Sequence, residues 1–419
     1  MPNRSIRLLH FADAHIDMIN HGRHDPASGL PVRIMDFLAA LDQIIARAIA
    51  ERVDLVIFAG DAYKDRHPQP TFQREWGKRM MQLSEARIPT LLLVGNHDKS
   101  PAMGRAHALH EYQTLAVPFI HVADQIALFG PETLGIPAQV LTVPWVSHSA
   151  LFAKTETTGK EIGEIYNLLE ERVADGVNQL LAAADPTLPL ILTAHASVQG
   201  ARYGSERQVM LGHELVLGGN LVRDRRLDYV ALGHIHKHQE LNPGLQPPVV
   251  YPGSIERIDF GETREAKGFV LASVSKGHTT WEFVQLKTRD FVDWSLEFGP
   301  ENSSAETFMP DILRQLPSPE RTAGAVCRLQ LSYPRDWETL LDETALARHF
   351  TDALSFYIAK QRRGENRSRL GDTIALESLS PEELLARYWE SQGVAPEETA
   401  SLQKLAREVL GQAFAEGNA

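Results

Sequence analysis

The chain has 419 residues, a formal net charge of −12 at pH 7 and a hydrophobic fraction of 43%. This composition is typical of a folded globular protein and excludes a disordered or fibrous chain. The acidic balance excludes a protein that coats nucleic acid through a uniform positive field. No apolar run approaches the ~18 residues of a membrane-spanning helix, so we expect no association with a membrane. The single cysteine, Cys327, excludes an intramolecular disulfide and favours a cytoplasmic protein.

Short apolar runs and longer amphipathic runs alternate along the first two thirds of the chain. Strands are predicted, in chain order, over residues 6–12, 54–59, 90–94, 190–193, 229–232 and 249–251, followed by a hairpin over 269–285. Helices are predicted where apolar side chains recur at helical spacing, over residues 33–51, 72–85 and 163–184. The alternation of strands and helices predicts the α/β class, with a mixed or parallel sheet.

The composition changes near residue 299, where residues 299–304 are rich in Gly, Pro, Asn and Ser and typical of a loop. A chain of this length is expected to hold two or three domains. We predict a core domain over 1–285, a small α/β capping domain over 286–375 and a C-terminal helical segment over 376–419.

The C-terminal segment predicts two short helices, over 381–391 and 397–411, each with one apolar stripe. Helices of this length are marginal alone in water, so the stripes must be buried against something. One interpretation is that they dock into a partner, and the other is that they pack back onto the capping domain. The anchors expected for docking are Leu385, Trp389, Leu402 and Leu405.

Side chains that can bind a metal follow five of the predicted strands. They are Asp13 and His15, Asp61, Asn96, His195, and His234 with His236. The carboxyl ends of strands in an open α/β sheet are where such folds build sites, so we expect these side chains to lie close together. Residues i and i+2 of an extended segment project to the same side, so Asp13 and His15 are expected to face one ion. A glycine precedes Asp61, Asn96 and His234, which lets backbone approach the site closely.

The donor atoms in this set are imidazole nitrogens, carboxylate oxygens and one amide oxygen. This mixture favours Mn, Fe, Zn or Co over Mg or Ca. Seven ligands are too many for one ion, whereas two ions that share a carboxylate fit the number and are typical of hydrolytic two-metal sites.

The order of these residues resembles the signature of the calcineurin-like metallophosphoesterases, which reads Asp-x-His, Gly-Asp, Gly-Asn-His-Asp, His and Gly-His-x-His. Residues 251–257 and 259–262 further resemble the SbcD-type nucleases of DNA double-strand-break repair. The resemblance implies a sandwich of mixed β-sheets flanked by helices, with a small capping domain and C-terminal helices. It also implies metal-dependent hydrolysis of DNA, as an exonuclease, an endonuclease or both, with two divalent ions, of which Mn²⁺ is the expected metal.

The resemblance implies a role for each residue. Asp13, His15 and His236 would hold the first ion, Asn96, His195 and His234 the second, and Asp61 would bridge both. His97 would protonate the leaving oxygen or orient the phosphate, and Asp98 would orient His97 or its loop. The implied partners are DNA, an SMC-like ATPase of the SbcC type and a second copy of the nuclease subunit.

Two positions depart from the pattern of these nucleases. Asp17 stands where many of them carry Gly, and Lys64 stands where several carry His. Lys64 lies at a position linked to the presentation of the DNA end, so the balance of exonuclease and endonuclease activity stays open.

Two functions other than that of a nuclease are also consistent with the sequence. A stand-alone metallophosphoesterase acting on nucleotides or phosphoproteins would use every metal ligand but would not need the C-terminal 120 residues. A scaffold that anchors an ATPase would not need seven ligands.

Several basic and histidine residues lie outside the ligand set. The basic residues between 360 and 369 are either a solvated helix end and loop or a contact with DNA phosphates. We interpret His10 as structural, since it has no ligand neighbours. His238 extends the run Gly-His-Ile-His-Lys-His, and we interpret it as a loop histidine rather than an eighth ligand.

Overall fold

The computed structural model describes residues 5–99, 105–146, 162–204 and 216–363, together with isolated residues between 385 and 406. The chain divides into two compact units. The first comprises Met1–Trp294, Pro317–Leu329 and Ala345–Tyr357. The second comprises Ser295–Leu316, Gln330–Thr344 and Ile358–Ala419. Most of the two predicted C-terminal helices lies outside the described residues, and the three domain boundaries stay a prediction.

The strands and helices are numbered here along the chain. The strands are β1 Ile6–Phe11, β2 Leu55–Phe58, β3 Thr90–Leu93, β4 Ile120–Ala123, β5 Ala127–Phe129, β6 Gln139–Val143, β7 Leu190–His195, β8 Ser197–Val198, β9 Val216–Leu217, β10 Tyr229–Gly233, β11 Gln239–Glu240, β12 Val249–Tyr251, β13 Gly268–Ser275, β14 His278–Gln285, β15 Phe291–Glu297, β16 Val326–Pro334 and β17 Ser355–Arg363. The helices are α1 Val32–Glu51, α2 Pro70–Glu85, α3 His110–Thr114, α4 Pro131–Leu134, α5 Ile162–Ala183, α6 Gly219–Val222, α7 Phe308–Gln315, α8 Pro319–Thr322 and α9 Glu343–His349.

Two six-stranded sheets organise the first unit. The first sheet has the order β14-β13-β1-β2-β3-β4 and the second has the order β11-β12-β10-β7-β6-β5. Strands β1 to β4 run parallel, and β13 pairs antiparallel with β1. Strands β6, β7, β10 and β12 also run parallel, with antiparallel strands at both edges. Both sheets are therefore mixed, as the sequence predicts.

The hydrophobic cores of the first unit form three layers. Leu8 and Leu55 of the first sheet pack in one core with Ile191 and Ala231 of the second. Their neighbours along the strands point to the opposite face, where Leu9 shares a core with α1 and α2. The outer face of the second sheet packs against α5. The predicted sandwich of mixed sheets flanked by helices is confirmed.

Most predicted elements lie within one or two residues of the observed ones, including the hairpin of β13 and β14. The sequence analysis did not identify β4, β5 and β6, which are short and lack a clear alternating pattern. In the second unit, Phe308 packs edge-on or tilted against Phe298, Tyr333 and Trp337 with ring centroids 5.3–5.5 Å apart. Among the described residues, none of the helices combines the length and apolar character needed to cross a bilayer.

Candidate metal centre

The metal-binding side chains predicted from the sequence follow strands of both sheets at the edge where the parallel strands end. Asp13 and His15 follow β1, and Asp61 follows β2. The loops after these two strands are joined by backbone hydrogen bonds, because the N–H of Asp13 donates to Gly60 at 2.9 Å and that of Ala14 donates to Asp61 at 2.8 Å. Two ligand-bearing loops are thus held together before any side chain contributes.

The structure brings all seven predicted ligands together. The donor atoms of Asp13, His15 and His236 lie within 4.8 Å of one another, and so do those of Asp13, Asp61 and His195. The Nε2 atoms of His15 and His236 are 3.2 Å apart. The remaining two ligands complete the second group, since Asn96 Oδ1 lies 2.9 Å from His195 Nε2 and 3.1 Å from His234 Nδ1.

Hydrogen bonds at the far nitrogen orient three of the imidazoles for metal binding. The Nδ1 atoms of His15, His195 and His236 face Tyr63 O at 3.2 Å, Ala59 O at 2.7 Å and Glu262 Oε1 at 2.9 Å, respectively. Each of these partners only accepts, so Nδ1 carries the hydrogen and Nε2 presents a lone pair. Two such lone pairs 3.2 Å apart repel unless a cation lies between them. The donor set and its tautomers therefore fit divalent metal ions.

Four of the seven predicted ligands have a strained backbone conformation. Asp13, His15, Asp61 and His234 have φ angles of 51°, 39°, 64° and 97°, all in the left-handed region that non-glycine residues seldom adopt. Strain of this kind persists where the surrounding structure fixes it, and it accumulates at functional sites. Here the fixing contacts include the bond from the N–H of His234 to both Asp13 oxygens at 3.1 Å.

The predicted close approach of backbone at the glycines is confirmed. A Cβ on Gly95 would collide with the carboxylate of Asp61, and a Cβ on Gly60 would collide with the imidazole of His195. Gly60 also has a φ of 101°, which favours glycine in its own right.

His97 and Asp98 occupy different places in the site. The N–H of His97 donates to Asp61 Oδ1 at 2.8 Å, and its Nδ1 lies 2.8 Å from the carbonyl of Lys64. The His97 ring stands edge-on to His15, with ring centroids 5.1 Å apart. Asp98 is fully buried and accepts the backbone N–H groups of Gly95, Asp61 and Ala62, all at 2.9 Å. These contacts describe Asp98 as a positioning residue, and its assignment as catalytic stays a prediction.

The carboxylates of the site alter the pKa values of their neighbours. Burial alone would lower the pKa of His195, but the Asp61 carboxylate raises it to about 9. Burial likewise opposes the effect of Glu262, which raises the pKa of His236 to about 9. Burial, together with the Asp61 charge, raises the pKa of Asp98 to about 7. Burial lowers the pKa of His97. These carboxylates thus favour positive charge at the two rings, and a bound cation, which needs the neutral imidazole, would supply that charge in place of a proton.

Two neighbours of the site were not assigned a role from the sequence. Glu262 is buried, and besides His236 it binds Lys267 Nζ at 2.9 Å. Trp145 follows β6 and lies tilted over His234, with ring centroids 5.2 Å apart. The only local feature that could have pointed to Trp145 is its position just beyond the end of a strand. Because β6 was not predicted, this position was not recognised.

Other polar residues discussed above do not join the site. Both ring nitrogens of His10 are engaged within the buried interior, by Tyr229 Oη at 3.0 Å and Leu232 O at 3.1 Å, so the structural interpretation is confirmed. The ring of His238 stacks on Phe283 at 4.0 Å. In the second unit, Arg362 binds Glu338 at 2.7 Å. Lys360 and Arg363 are paired as well, with Glu343 and Glu297. Arg367 and Arg369 lie outside the described residues.

The family match agrees with this geometry. Residues 6–238 match the family model of the calcineurin-like phosphoesterases. Among solved structures, the chain is similar to a dimetal phosphatase from Danio rerio, with 12% identity and a TM-score of 0.41 over 66% of this chain and 98% of that one. It is also similar to the protein TT1561 of Thermus thermophilus, with 16% identity and a TM-score of 0.37 over 67% of this chain and 99% of that one. The family match spans more than half of the chain and includes all seven predicted ligands, so this protein belongs to the calcineurin-like phosphoesterases, hydrolases that use two divalent metal ions.

Proposed function

We propose that the chain hydrolyses phosphodiester bonds in DNA, as the nuclease subunit of an SbcCD-type repair complex that uses Mn²⁺. The observation that carries the proposal is the His97 imidazole, which lies beside His15 of the first ligand group and is fixed by the carbonyl of Lys64. A site that only bound metal would not need a fifth oriented imidazole that belongs to neither ligand group.

The side chains of the site divide the work of hydrolysis. Asp13, His15 and His236 would hold one ion, Asn96, His195 and His234 the other, and Asp61 lies where it can serve both. When bound, the two ions polarise the phosphate and acidify a water molecule. The water oxygen forms a bond to phosphorus as the bond to the leaving oxygen breaks. Because the Nδ1–H group of His97 donates to the carbonyl of Lys64, Nε2 is the ring nitrogen left to take a proton from solvent and pass it to the leaving oxygen, while the proton of the attacking water goes to solvent.

Positive charge beside the site suits a polyanionic substrate. Lys64 is half-buried, and Arg66 is exposed with its Nε 3.4 Å from the carbonyl of Asn96. These two side chains place local positive charge next to a metal ligand in a chain whose net charge is −12. Contacts from Lys and Arg to phosphates that flank the cleaved bond would set the register of a DNA strand.

The indole of Trp145 suits a substrate with a flat aromatic group. It is half-buried, and its backbone N–H donates to Val94 at 2.9 Å, which fixes the residue at the rim of the second ligand group. A base next to the cleaved phosphate could stack on this ring, and stacking of a base on an aromatic side chain contributes about 1–3 kcal/mol.

The test compares four substrates in the presence of Mn²⁺: an end-labelled DNA duplex, bis(p-nitrophenyl) phosphate, a nucleoside monophosphate and a phosphopeptide. We expect cleavage of the duplex and of the synthetic diester, with both activities lost in Asp61→Ala. Hydrolysis of the monoesters with the duplex left intact would favour the stand-alone phosphoesterase. A metal-loaded protein that hydrolyses none of the four would favour the scaffold.

The proposed complex also needs partners. We expect the C-terminal segment 376–419 to dock an SMC-like ATPase of the SbcC type, and the nuclease subunit to form a homodimer. Truncation after Thr373 should leave hydrolysis of bis(p-nitrophenyl) phosphate and the melting temperature of the core unchanged while abolishing ATPase binding. A truncated protein that unfolds, or that binds the ATPase with full affinity, would contradict the docking proposal. Sedimentation of the full chain measures the dimer directly.

A further inference from the structure

Asp17, which stands where many SbcD-type nucleases carry Gly, is buried beside the metal centre. Only 7% of the residue is exposed. Its Oδ1 accepts the backbone N–H of Lys64, and its Oδ2 accepts that of Asp65 at 3.0 Å. One side chain therefore binds two consecutive amides of the loop that follows Asp61.

These bonds continue the backbone pairing between the two ligand loops. Ala14 donates to Asp61 at 2.8 Å, and Ile16 donates to Ala62 at 3.1 Å. Further along the second loop, the carboxylate of Asp17 takes the amides of Lys64 and Asp65. A glycine at this position has no acceptor, so it could not hold the loop in the same way.

Asp17 binds the loop after Asp61 at Lys64 and Asp65, and Lys64 is also the residue of that loop that contacts His97. The carbonyl of Lys64 lies 2.8 Å from His97 Nδ1, and it fixes both the tautomer and the orientation of the ring. The amide and the carbonyl of Lys64 belong to one residue, so displacement of its amide shifts the peptide that follows.

We propose that Asp17 is a positioning residue for His97, acting through the backbone of Lys64. The inference rests on the proposed proton-transfer role of His97. It assigns Asp17 no contact with metal or substrate, since neither ligand group includes it. Asp at this position, in place of Gly, therefore helps to fix the His97 imidazole. It does so from the loop after β1, by holding the loop after β2.

The test is a double-mutant cycle with Asp17→Asn and His97→Ala, with kcat and KM measured on a DNA oligonucleotide and on bis(p-nitrophenyl) phosphate. Asn keeps the shape but presents one acceptor oxygen where two are needed. We expect Asp17→Asn to lower kcat roughly 10- to 100-fold, as changes to groups that orient active-site residues do, with KM and Mn²⁺ affinity unchanged. In the His97→Ala background the same substitution should change kcat by less than about twofold, because the ring that it orients is gone.

Two further variants complete the design. Asp65→Asn removes the same charge from the loop that Asp17 holds, but the Asp65 side chain accepts from the amide of His67 rather than from a residue of the site, so the wild-type kcat is expected. Asp17→Glu keeps both acceptor oxygens and should retain a higher kcat than Asp17→Asn. If Asp17→Asn does not fold, Asp17→Glu is carried through the same cycle.

The outcomes separate the inference from the proposed function. An equal loss of kcat in both backgrounds, or a loss of Mn²⁺ with Asp17→Asn, would overturn the positioning role. If His97→Ala alone leaves kcat unchanged on both substrates, the role of His97 fails and the inference fails with it. If the wild type cleaves only the synthetic diester, the DNA proposal fails, while the cycle on that diester still decides the role of Asp17.

Discussion

The carboxylate of Asp98 accepts the backbone N–H of Asp61, a predicted metal ligand, at 2.9 Å, so one buried acidic residue fixes the position of another. Asp98 also binds the amides of Gly95 and Ala62, which lie in two different ligand loops. Its three bonds hold the loops after β2 and β3 in register.

Asp98→Asn should destabilise the fold, because Asn presents one acceptor oxygen and turns an NH₂ group toward a buried amide. An unsatisfied buried donor costs roughly 1–3 kcal/mol, which urea denaturation can measure. The control is Asp185→Asn, since the exposed Asp185 accepts from the amide and hydroxyl of Thr187 at the surface. Equal stability of Asp98→Asn and the wild type would show that these three bonds are not needed.

Glu262→Gln should weaken metal binding at the group formed by Asp13, His15 and His236. Burial alone would raise the pKa of Glu262, but Lys267 and His236 hold it at about 2, so the side chain faces His236 as a carboxylate. Loss of this charge lowers the basicity of the imidazole, and metal affinity should fall roughly 10- to 100-fold. Glu265→Gln is the matched control, because Glu265 also pairs with Lys267 but does not contact His236. Equal Mn²⁺ affinity of the two variants in a titration would contradict the role of Glu262.

His97→Ala should separate proton transfer from metal binding. We expect both ions to stay bound while kcat falls roughly 10²- to 10⁴-fold, the usual range for a positioned acid–base group. His67→Ala, which alters an exposed histidine of the loop beyond Asp61, should keep the wild-type rate. Loss of a metal ion from His97→Ala in elemental analysis would make His97 a ligand instead.

His10 should contribute an acid-sensitive part of the stability. Complete burial lowers its pKa to about 3, whereas the unfolded chain has the ordinary value of 6.5. Between these two values the unfolded state binds the proton and the folded state does not, so the free energy of unfolding falls as the pH falls below 6.5. Protonation of His10 lowers the free energy of unfolding by at most about 1.4 kcal/mol per pH unit.

His10→Gln should therefore show a weaker dependence of the urea midpoint on pH than the wild type, from about pH 6.5 down to about pH 4. Gln can still accept from Tyr229 and donate to Leu232. The two proteins then differ mainly in whether the side chain at position 10 can be protonated. His278→Gln, at an exposed position of β14, should retain the full acid dependence. Parallel pH profiles of wild type and His10→Gln would rule out this contribution.

That the predicted ligands lie together could be predicted from the sequence, because the same local pattern recurs at three of them. A buried strand, a glycine and a donor side chain follow one another at Asp61, Asn96 and His234. Parallel pairing aligns the strand ends within each sheet, and the packing of the two sheets brings both sets together. That part of the fold depends on periodicity and on short-range order, both of which a single sequence records.

The surroundings of the ligands depend on contacts between distant parts of the chain. Glu262 reaches His236 across 26 residues, and Trp145 reaches His234 from a strand with no clear pattern. The basic residues near 360 have the composition of a DNA contact, yet Arg362 is paired with Glu338, which lies 24 residues before it. The sequence around Glu262, Trp145 and Arg362 does not indicate which residue each of them contacts.

The measurement that tests the account most directly is the Mn²⁺ content of Asp61→Ala, determined by elemental analysis alongside its rate on a DNA duplex. Asp61 Oδ2 lies 3.4 Å from His195 Nε2 and 3.9 Å from His15 Nε2, between the two ligand groups. We predict that Asp61→Ala binds less Mn²⁺ than the wild type and has no detectable phosphodiesterase activity, while Asp65→Ala, four residues further along the same loop, keeps both. Full Mn²⁺ occupancy with a near-normal rate in Asp61→Ala would contradict a shared carboxylate at the centre of this site.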